Sequence, residues 1–170
     1  MPKRRNHSRP TASRPYMPSY GIANADSGKG LLPWSWAVER LVGAHTYWIA
    51  TTRPNGRPHV MPVWGLWLDD AFYFSTGRNS RKARNLAANA ECVVTLDHSG
   101  EQVIIEGVAH EATDTLILKQ CWEAYNAKYH WDVEGMNEPF FAVRPRVAFG
   151  FIENDEAFTT TATRWLFEVD

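Results

Sequence analysis

The segment from His45 to Leu86 shows a clear alternation of apolar runs and polar breaks. Two apolar runs flank Pro54-Asn55-Gly56, and an Asn-Gly pair between such runs predicts a β-hairpin, because both residues tolerate a positive φ. A third strand is expected over Ala71–Thr76, and a short helix over Ser80–Asn89. This segment is therefore predicted to form three strands followed by a helix.

The rest of the chain predicts more strands than helices. Pro33 suits the first turn of a helix that ends at Gly43, and the longest helix is expected over Asp114–Tyr129, where apolar residues recur every three or four positions. Residues 130–145 are predicted to form a loop. The other expected strands are Cys92–Leu96, Gln102–His110 with a bulge or a close backbone approach at Gly107, Val147–Ile152 and Thr159–Phe167. Strands joined by hairpins indicate a mainly β (α+β) fold, a small antiparallel barrel with peripheral helices.

The second strand of the hairpin is apolar on both faces, which is typical of a barrel strand with a packed interior and a covered exterior. Because Pro58 and Pro62 have no N–H to donate, this strand is predicted to be bulged or to lie at a sheet edge. Its unpaired backbone groups could bind the polar edge of a ring. One face is predicted to carry Met61, Val63, Gly65 and Trp67, and the other Val60, Pro62, Trp64, Leu66 and Leu68.

Residues 1–30 differ in composition from the rest of the chain. They hold six of the 18 Lys and Arg residues but only one of the 19 acidic residues, so the remainder carries −6 while the whole chain carries −1. The first dozen or so residues are predicted to be disordered, and 14–22 to form an extended arm, before a single domain over 31–170. A basic tail could contact nucleic acid, but a net charge near zero does not indicate polyanion binding, and solvated disorder is favoured.

Composition also narrows the class of protein. Cys92 and Cys121 stand in apolar runs without a CxxC motif and are interpreted as buried reduced thiols of a cytoplasmic protein. No stretch approaches the roughly 20 apolar residues of a membrane helix, so no membrane partner is expected. Eight Trp, six Tyr and eight Phe are a high aromatic load, which either a core, a ligand wall or a subunit interface would explain.

The start of the predicted Ser80–Asn89 helix has the features of an anion site. Ser80 supplies a capping hydroxyl, the first turn has free backbone N–H groups, and Arg81 and Lys82 add two cations. Cations are unfavourable at a helix N-terminus, and a bound phosphate would offset that conflict. The alternative interpretation, given equal weight from the residues alone, is a solvated basic helix start.

Motifs for chemistry by the protein itself are absent from the sequence. It contains no nucleophile elbow, Walker loop or HExxH motif, and the six His residues show no metal-ligand spacing. His45, His59 and His110 are interpreted as structural residues, and no metal is expected. Any chemistry is therefore predicted to belong to a bound cofactor. Tyr47, His59 and Tyr129 are candidate proton donors, none of which can be assigned.

Three motifs in order, PNGRPHVMPVWG at 54–65, FYFSTG at 72–77 and SRKARNL at 80–86, carry a resemblance to a known family. With EGVAHEATD, KYHW and TRWLF further along, the chain resembles the split-barrel flavin oxidoreductases related to pyridoxamine 5'-phosphate oxidase. Within them it resembles the branch that uses the deazaflavin F420 or FMN. The resemblance covers nearly all of the chain after about residue 14 and implies a split β-barrel of the FMN-binding type.

The resemblance also implies roles for particular residues. In the family the Ser-Arg-Lys run binds the flavin phosphate, the preceding strand end supplies hydroxyls, and the strand matching Met61–Trp64 lines the ring through its backbone. Asn85 is implied as a phosphate-side or structural contact, and Trp165 as an aromatic residue near the cofactor. The implied cofactor-binding residues are Met61, Pro62, Val63, Trp64, Ser75, Thr76, Ser80, Arg81, Lys82, Asn85 and Trp165.

The implied activity is hydride transfer between reduced F420 and a small organic acceptor, in a homodimer with the cofactor at the subunit boundary. F420 ends in an oligoglutamate tail, so its site should keep further cations, for which Arg57, Arg78 and Arg84 are candidates. An FMN-binding enzyme or store and a non-catalytic flavin or tetrapyrrole carrier stay open as alternatives. The C-terminal Arg/His motif of the true oxidases has no match in TATRWLFEVD, so vitamin B6 oxidation is not expected.

Overall fold

The computed structural model describes residues 9–22, 29–130 and 138–168. Within these ranges the chain forms nine strands, all of which join one antiparallel sheet, and four helices. In chain order the elements are β1 Thr11–Ser13, α1 Trp34–Gly43, β2 Tyr47–Thr52, β3 Pro58–Val63, β4 Leu66–Leu68, β5 Ala71–Ser75, α2 Arg81–Ala88, β6 Glu91–Leu96, β7 Glu101–Glu111, α3 Thr115–Tyr129, β8 Phe140–Ile152, α4 Phe158–Thr161 and β9 Thr163–Leu166.

The sheet runs in the order β1-β9-β8-β7-β6-β2-β3, with β5 paired to β8 and β4 to β5. The long strand β8 pairs with β7 along one edge. Along its other edge, its first residues pair with β5 and residues 147–150 pair with β9. Within the described residues this path does not close. The mainly antiparallel β fold with helices around it confirms the predicted fold class.

The β2–β3 hairpin is confirmed at its predicted turn. Thr52 pairs with Pro58, and Gly56 has a φ of +80°. β3 ends the sheet path, as expected for a strand that contains two prolines. In register, Met61 and Val63 share the inner face with Ile49 and Tyr47, whereas Val60 and Pro62 lie on the outer face. The irregularity predicted at Gly107 is also confirmed, since the register shifts between Glu106 and Gly107. The backbone approaches closely there too, because a Cβ on Gly107 would lie 2.3 Å from the carbonyl oxygen of Arg144.

Four local expectations were wrong. The second hairpin strand does not continue to Leu68 but breaks at Trp64-Gly65, where a Cβ on Gly65 would lie 2.2 Å from the Phe72 ring. Residues 140–145 are not a loop, because they pair with β5 and β7, and Pro145 pairs with Gly107 at the register shift. Residues 159–161 are helical rather than extended. Residues 11–13, within the predicted disordered stretch, pair with β9.

Parts of two predictions fall outside the described residues. These are residues 1–8 and 23–28 of the predicted tail and residues 131–137 of the predicted loop. The division of the chain into a tail over 1–30 and a domain over 31–170 therefore stays a prediction. Residue 14, the first of the predicted arm, is anchored, since the Arg14 guanidinium is buried and donates to the carbonyl oxygen of Ala162 at 3.0 Å.

The aromatic load is largely in the core. The main cluster fills the sheet interior and includes Tyr47, Ile49, Phe72, Phe74, Ile105 and Trp165. A second cluster packs Cys121, Tyr125 and Tyr129 of α3 against Leu66, Tyr73 and Phe140. Both cysteines are free and buried as predicted, and burial raises the pKa of each thiol to about 12. None of the helices in the described ranges combines the length and apolar character that a membrane crossing needs.

Candidate functional site

The loop between β5 and α2 is held by hydroxyl groups. Ser80 caps α2 as predicted, since its Oγ accepts from the backbone N–H of Ala83 at 3.2 Å. The Thr76 hydroxyl donates to Ser80 Oγ at 3.1 Å, and the Ser75 hydroxyl donates to the carbonyl oxygen of Pro139 at 3.2 Å. These bonds fix where the first turn of α2 begins, and so where Arg81 and Lys82 lie.

Asn85 anchors α2 to the barrel. Its side chain is fully buried, and its Nδ2 donates to Thr51 Oγ1 on β2 at 2.9 Å. The Thr51 hydroxyl in turn donates to the carbonyl oxygen of His59 at 3.4 Å. Asn85 Oδ1 has no hydrogen-bond partner although it is buried. A buried polar atom without a partner is costly, and a bound water or ligand would offset that cost.

His59 and Arg53 extend this polar region at the two ends of the hairpin turn. His59 lies opposite Thr51 on the inner face, and its Nδ1 is buried without a partner, as is Arg53 Nε. The pKa of His59 is lowered by burial and then by the positive charges of Arg53, Lys82 and Arg81. The Asn85–Thr51 hydrogen bond holds the first turns of α2 at this end of the hairpin, so Arg81 and Lys82 lie on the same side as His59 and Arg53. We refer to Arg53, His59, Arg81 and Lys82 as the basic cluster.

The cations of the basic cluster lack acidic partners. No carboxylate in the part of the chain that the structure describes lies within 4.0 Å of Arg53, Arg81 or Lys82. Burial lowers the pKa of Lys82, whose ammonium has no hydrogen-bond acceptor among the same residues. Three cations beside a helix N-terminus repel one another and the helix dipole. A bound anion would offset both effects.

The other predicted residues are spread over β3, the break that follows it, and β9. Met61 and Pro62 are exposed on the edge strand β3, and Val63 is buried. Trp64, at the break after β3, stacks on Tyr129 with ring centroids 4.7 Å apart. Trp165 is not brought together with the cluster, because it is 1% exposed and packs against Trp34 in the core, on a strand at the far side of the sheet path.

The sequence matches the family model described as pyridoxamine 5'-phosphate oxidase over residues 37–159. The chain belongs to this family. The family match confirms the family-level resemblance, and it covers β2 to β8, including every member of the basic cluster. The match does not distinguish the F420-using branch from the rest of the family. No curated protein matches the sequence.

Solved structures show the same fold. A conserved hypothetical protein from Mycobacterium tuberculosis has a TM-score of 0.65 and 19% identity, covering 74% of this chain and 88% of that one. An FAD-binding protein from Mesorhizobium loti has a TM-score of 0.58 and 18% identity, covering 81% and 96%. The heme storage protein HutZ from Vibrio cholerae has a TM-score of 0.57 and 17% identity, covering 65% and 88%. These likenesses confirm the split-barrel fold.

A second polar cluster in this chain surrounds the strand break at Gly65. Lys128 Nζ donates to the Tyr47 hydroxyl at 2.9 Å, to the Gly65 carbonyl oxygen at 3.1 Å and to that of Val42 at 3.3 Å. The Tyr129 hydroxyl accepts from the Gly65 N–H and faces the carbonyl oxygens of Gly65 and His45, each at 2.8 Å. We refer to Tyr47, Gly65, Lys128 and Tyr129 as the Gly65 cluster. It holds α3 against the end of β3.

Arg78, one of the cations expected to bind a cofactor tail, is engaged elsewhere. Its guanidinium pairs with both oxygens of Glu111, at 2.9 and 3.2 Å. This ion pair lies on the rim of a groove of about 580 Å³ beside α2, whose floor includes Ala83, Leu86 and Phe141. Arg57 and Arg84 are exposed and form no ion pair with any described residue.

Sequence reasoning missed Arg53 as a site residue and assigned His59 no ligand role. A signal for both was present, because residues on either side of a hairpin turn lie close together across the two strands. Thr51, Arg53 and His59 flank the predicted Asn-Gly turn. What the sequence could not supply was the packing of α2 onto this end of the hairpin. Within the described residues, no group of three His, Cys, Asp or Glu could hold a metal ion.

Proposed function

We propose that this chain is an F420-binding oxidoreductase that transfers a hydride between reduced deazaflavin and a small organic acceptor. The observation that carries the proposal is the basic cluster. Its cations Arg53, Arg81 and Lys82 have no acidic partner among the described residues. In addition, buried polar atoms of Arg53, His59 and the adjacent Asn85 lack hydrogen bonds. Those residues fit a phosphate group, which accepts several hydrogen bonds and carries negative charge.

The residues would divide the work of binding between phosphate and ring. Arg81, Lys82 and Arg53 would hold the phosphate, with the first turn of α2 supplying backbone N–H groups. The exposed edge of β3, at Met61 and Pro62, would line the ring with backbone groups that lack a second strand partner. Once bound, the deazaflavin would supply the hydride. The protein would contribute by orienting the acceptor and excluding water.

The preference for F420 over FMN rests on cations beyond the phosphate site. Arg57 and Arg84 are exposed and unpaired within the described residues, so they are available to the carboxylates of an oligoglutamate tail. FMN, which ends at its phosphate, would leave them unused. Because Arg78 pairs with Glu111, one cation expected to contact the glutamate tail is already engaged. FMN, which has no such tail, is therefore the second candidate. Contacts to a solvated tail should be weak and screened within about 10 Å at 0.1 M salt.

A titration with both cofactors tests the proposal. We expect the purified protein to bind F420 more tightly than FMN, measured by quenching of cofactor fluorescence, because only F420 carries the additional carboxylates. The affinity for F420 should fall with added salt, and more steeply for longer glutamate tails. FMN binding as tightly as F420 would replace the assignment with the FMN one. Tight binding with no turnover of any acceptor would indicate a carrier instead.

We also infer that the protein is a homodimer, from an apolar patch on the outer face of the hairpin. Val60 is 51% and Trp48 36% exposed there, beside Pro62, which pairs with Trp48 across the strands. Exposed apolar patches on soluble proteins mark contact surfaces. Val60→Glu should therefore convert a dimer into a monomer at micromolar concentration, as measured by light scattering. Val42→Glu, at a residue that is 54% exposed on α1, is the matched control and should stay dimeric. A monomeric wild-type protein that binds its cofactor would contradict the inference.

A further inference from the structure

We propose that His59 binds a proton more tightly when the phosphate group of the cofactor binds between Arg53, Arg81 and Lys82, so that the site carries more positive charge in its bound state than in its free state. The proposal rests on the proposed function only in requiring a phosphate at the basic cluster. It holds for F420 and for FMN alike. His59 would then carry more positive charge when the phosphate is bound, whereas the arginines of the cluster are charged in both states.

The position of His59 leaves its ring without a partner on the chain. The residue lies on the inner face of β3 opposite Thr51, and its Nδ1 is buried without a hydrogen bond. The Thr51 hydroxyl is already occupied, since it accepts from Asn85 and faces the His59 backbone carbonyl. The side chain therefore has a polar atom that only a bound group or solvent can satisfy.

The charges around His59 come from two elements and have one sign. Arg53 lies just after β2, and Arg81 and Lys82 begin α2. The neutral groups that face the same place are Thr51 and Asn85. Burial and then these three cations lower the pKa of His59, and no carboxylate among the described residues opposes them. The imidazole is therefore neutral in the free protein at neutral pH.

A phosphate group reverses this field. It brings one or two negative charges to the cations that now disfavour protonation, and its oxygens accept hydrogen bonds from a charged ring. The proton comes from solvent and stays on an imidazole nitrogen, and no other bond forms or breaks. By linkage, binding that raises the pKa of a group is strengthened as the pH falls through that pKa.

Nuclear magnetic resonance of the histidine rings tests the proposal directly. The full-length protein, labelled with ¹³C in histidine, is titrated from about pH 5 to about 8.5 without ligand, with saturating FMN and with saturating F420. His59→Gln identifies the His59 signal. We expect the His59 pKa to lie below that of an ordinary histidine in the free protein and to rise by about one pH unit in both complexes, equivalent to about tenfold in affinity. An unchanged His59 pKa on saturation would overturn the proposal.

A variant of the cluster separates this inference from the proposed function. Lys82→Ala removes one repelling cation and should raise the His59 pKa without any ligand, whereas Lys119→Ala on α3 should leave it unchanged. No response to Lys82→Ala would overturn the arrangement of charges on which the inference depends. Cofactor fluorescence reports binding independently. If FMN binds more tightly than F420 and the pKa still rises, the cofactor assignment fails while the inference stands. If neither cofactor binds, both fail.

Discussion

The basic cluster and the Gly65 cluster are both polar regions partly removed from solvent, and each contains a half-buried lysine whose pKa is lowered by burial. Neither lysine has a carboxylate partner within the described residues. They differ in their hydrogen bonds. Lys128 donates to three oxygen atoms, whereas the ammonium of Lys82 donates to none in the same part of the chain.

This difference distinguishes a structural polar cluster from a binding site. Burial of a charged group costs less when hydrogen bonds replace those to water. The Gly65 cluster meets that requirement from within the chain, so its polar groups stabilise one arrangement of α3 and β3. The basic cluster leaves atoms of Arg53, His59 and Asn85 unmatched, and its cations repel one another. We infer that the fold tolerates this cost because a ligand offsets it.

The largest expected effect comes from Tyr129→Phe in the Gly65 cluster. The substitution removes the hydroxyl that accepts from the Gly65 N–H and donates toward the His45 and Gly65 carbonyl oxygens. Because a buried N–H is left unpaired, the free energy of unfolding should fall by about 2–3 kcal/mol. Urea denaturation measures it. Lys82→Ala should change that free energy by less than about 0.5 kcal/mol, as expected for a group without internal partners. Equal effects of the two variants would erase the distinction between the clusters.

The next effect is on ligand binding, where a substitution in the basic cluster should have a larger effect than one in the Gly65 cluster. Lys82→Ala should weaken cofactor binding about tenfold to a hundredfold, because a charge-assisted hydrogen bond contributes about 1.5–3 kcal/mol. The measurement is the fluorescence titration, with circular dichroism to check the fold. Lys119→Ala is the control, since Lys119 lies 3.9 Å from Glu123 on the exposed face of α3. An unchanged affinity in Lys82→Ala would return the Ser-Arg-Lys run to the solvated-face interpretation.

The two clusters also differ in how far they could be predicted. The Ser80 cap and the adjacent cations of α2 follow from local sequence, because capping needs only neighbouring residues. The β2–β3 hairpin and the irregularity at Gly107 were predictable for the same reason. The Gly65 cluster joins residues more than 60 positions apart, and nothing in the residues near Lys128 indicates that its acceptors are the Val42 and Gly65 carbonyl oxygens.

The errors in the fold have a related cause. Pro145 predicts a loop when read locally, yet β8 continues through it with a shift of register, since Val147 pairs with Glu106, Pro145 pairs with Gly107, and Arg146 between them is the extra residue. The break at Gly65 depends on the Phe72 ring, which is brought there by the pairing of β4 with β5. The implied role of Trp165 near a cofactor came from the family pattern alone. In this chain the indole packs in the core, and whether it acts on a cofactor from there stays a prediction.

The smallest expected effect is a pH dependence of stability from Lys128. Burial lowers the pKa of its ammonium from 10.5 to about 8 in the folded protein. A lysine with a lowered folded pKa binds fewer protons in the folded state than in the unfolded one, so stability is lowest below the folded pKa and rises with pH above it. Tyr129 acts in the opposite sense but later, since burial raises its pKa from 10.0 to about 12, so its contribution is lost only above about pH 10. The buried thiols of Cys92 and Cys121 oppose the Lys128 gain from about pH 8.5 upwards, because burial raises their folded pKa to about 12. Since a Lys128 variant keeps both thiols, the difference between wild-type and variant isolates the contribution of Lys128.

Urea denaturation at about pH 7.5 and about pH 9.5 should show the wild-type protein gaining about 1 kcal/mol relative to Lys128→Met, an estimate that is reduced because Lys128 is partly exposed. The Met variant keeps the aliphatic contacts on Tyr47 and removes only the titrating group. The three hydrogen bonds that Lys128 donates favour its charged form and oppose the effect of burial. A wild-type protein with no more pH dependence than the variant would mean that these bonds fully replace water. The Gly65 cluster would then differ from the basic cluster even more than the structure indicates, because its lysine would bear no cost of burial at all.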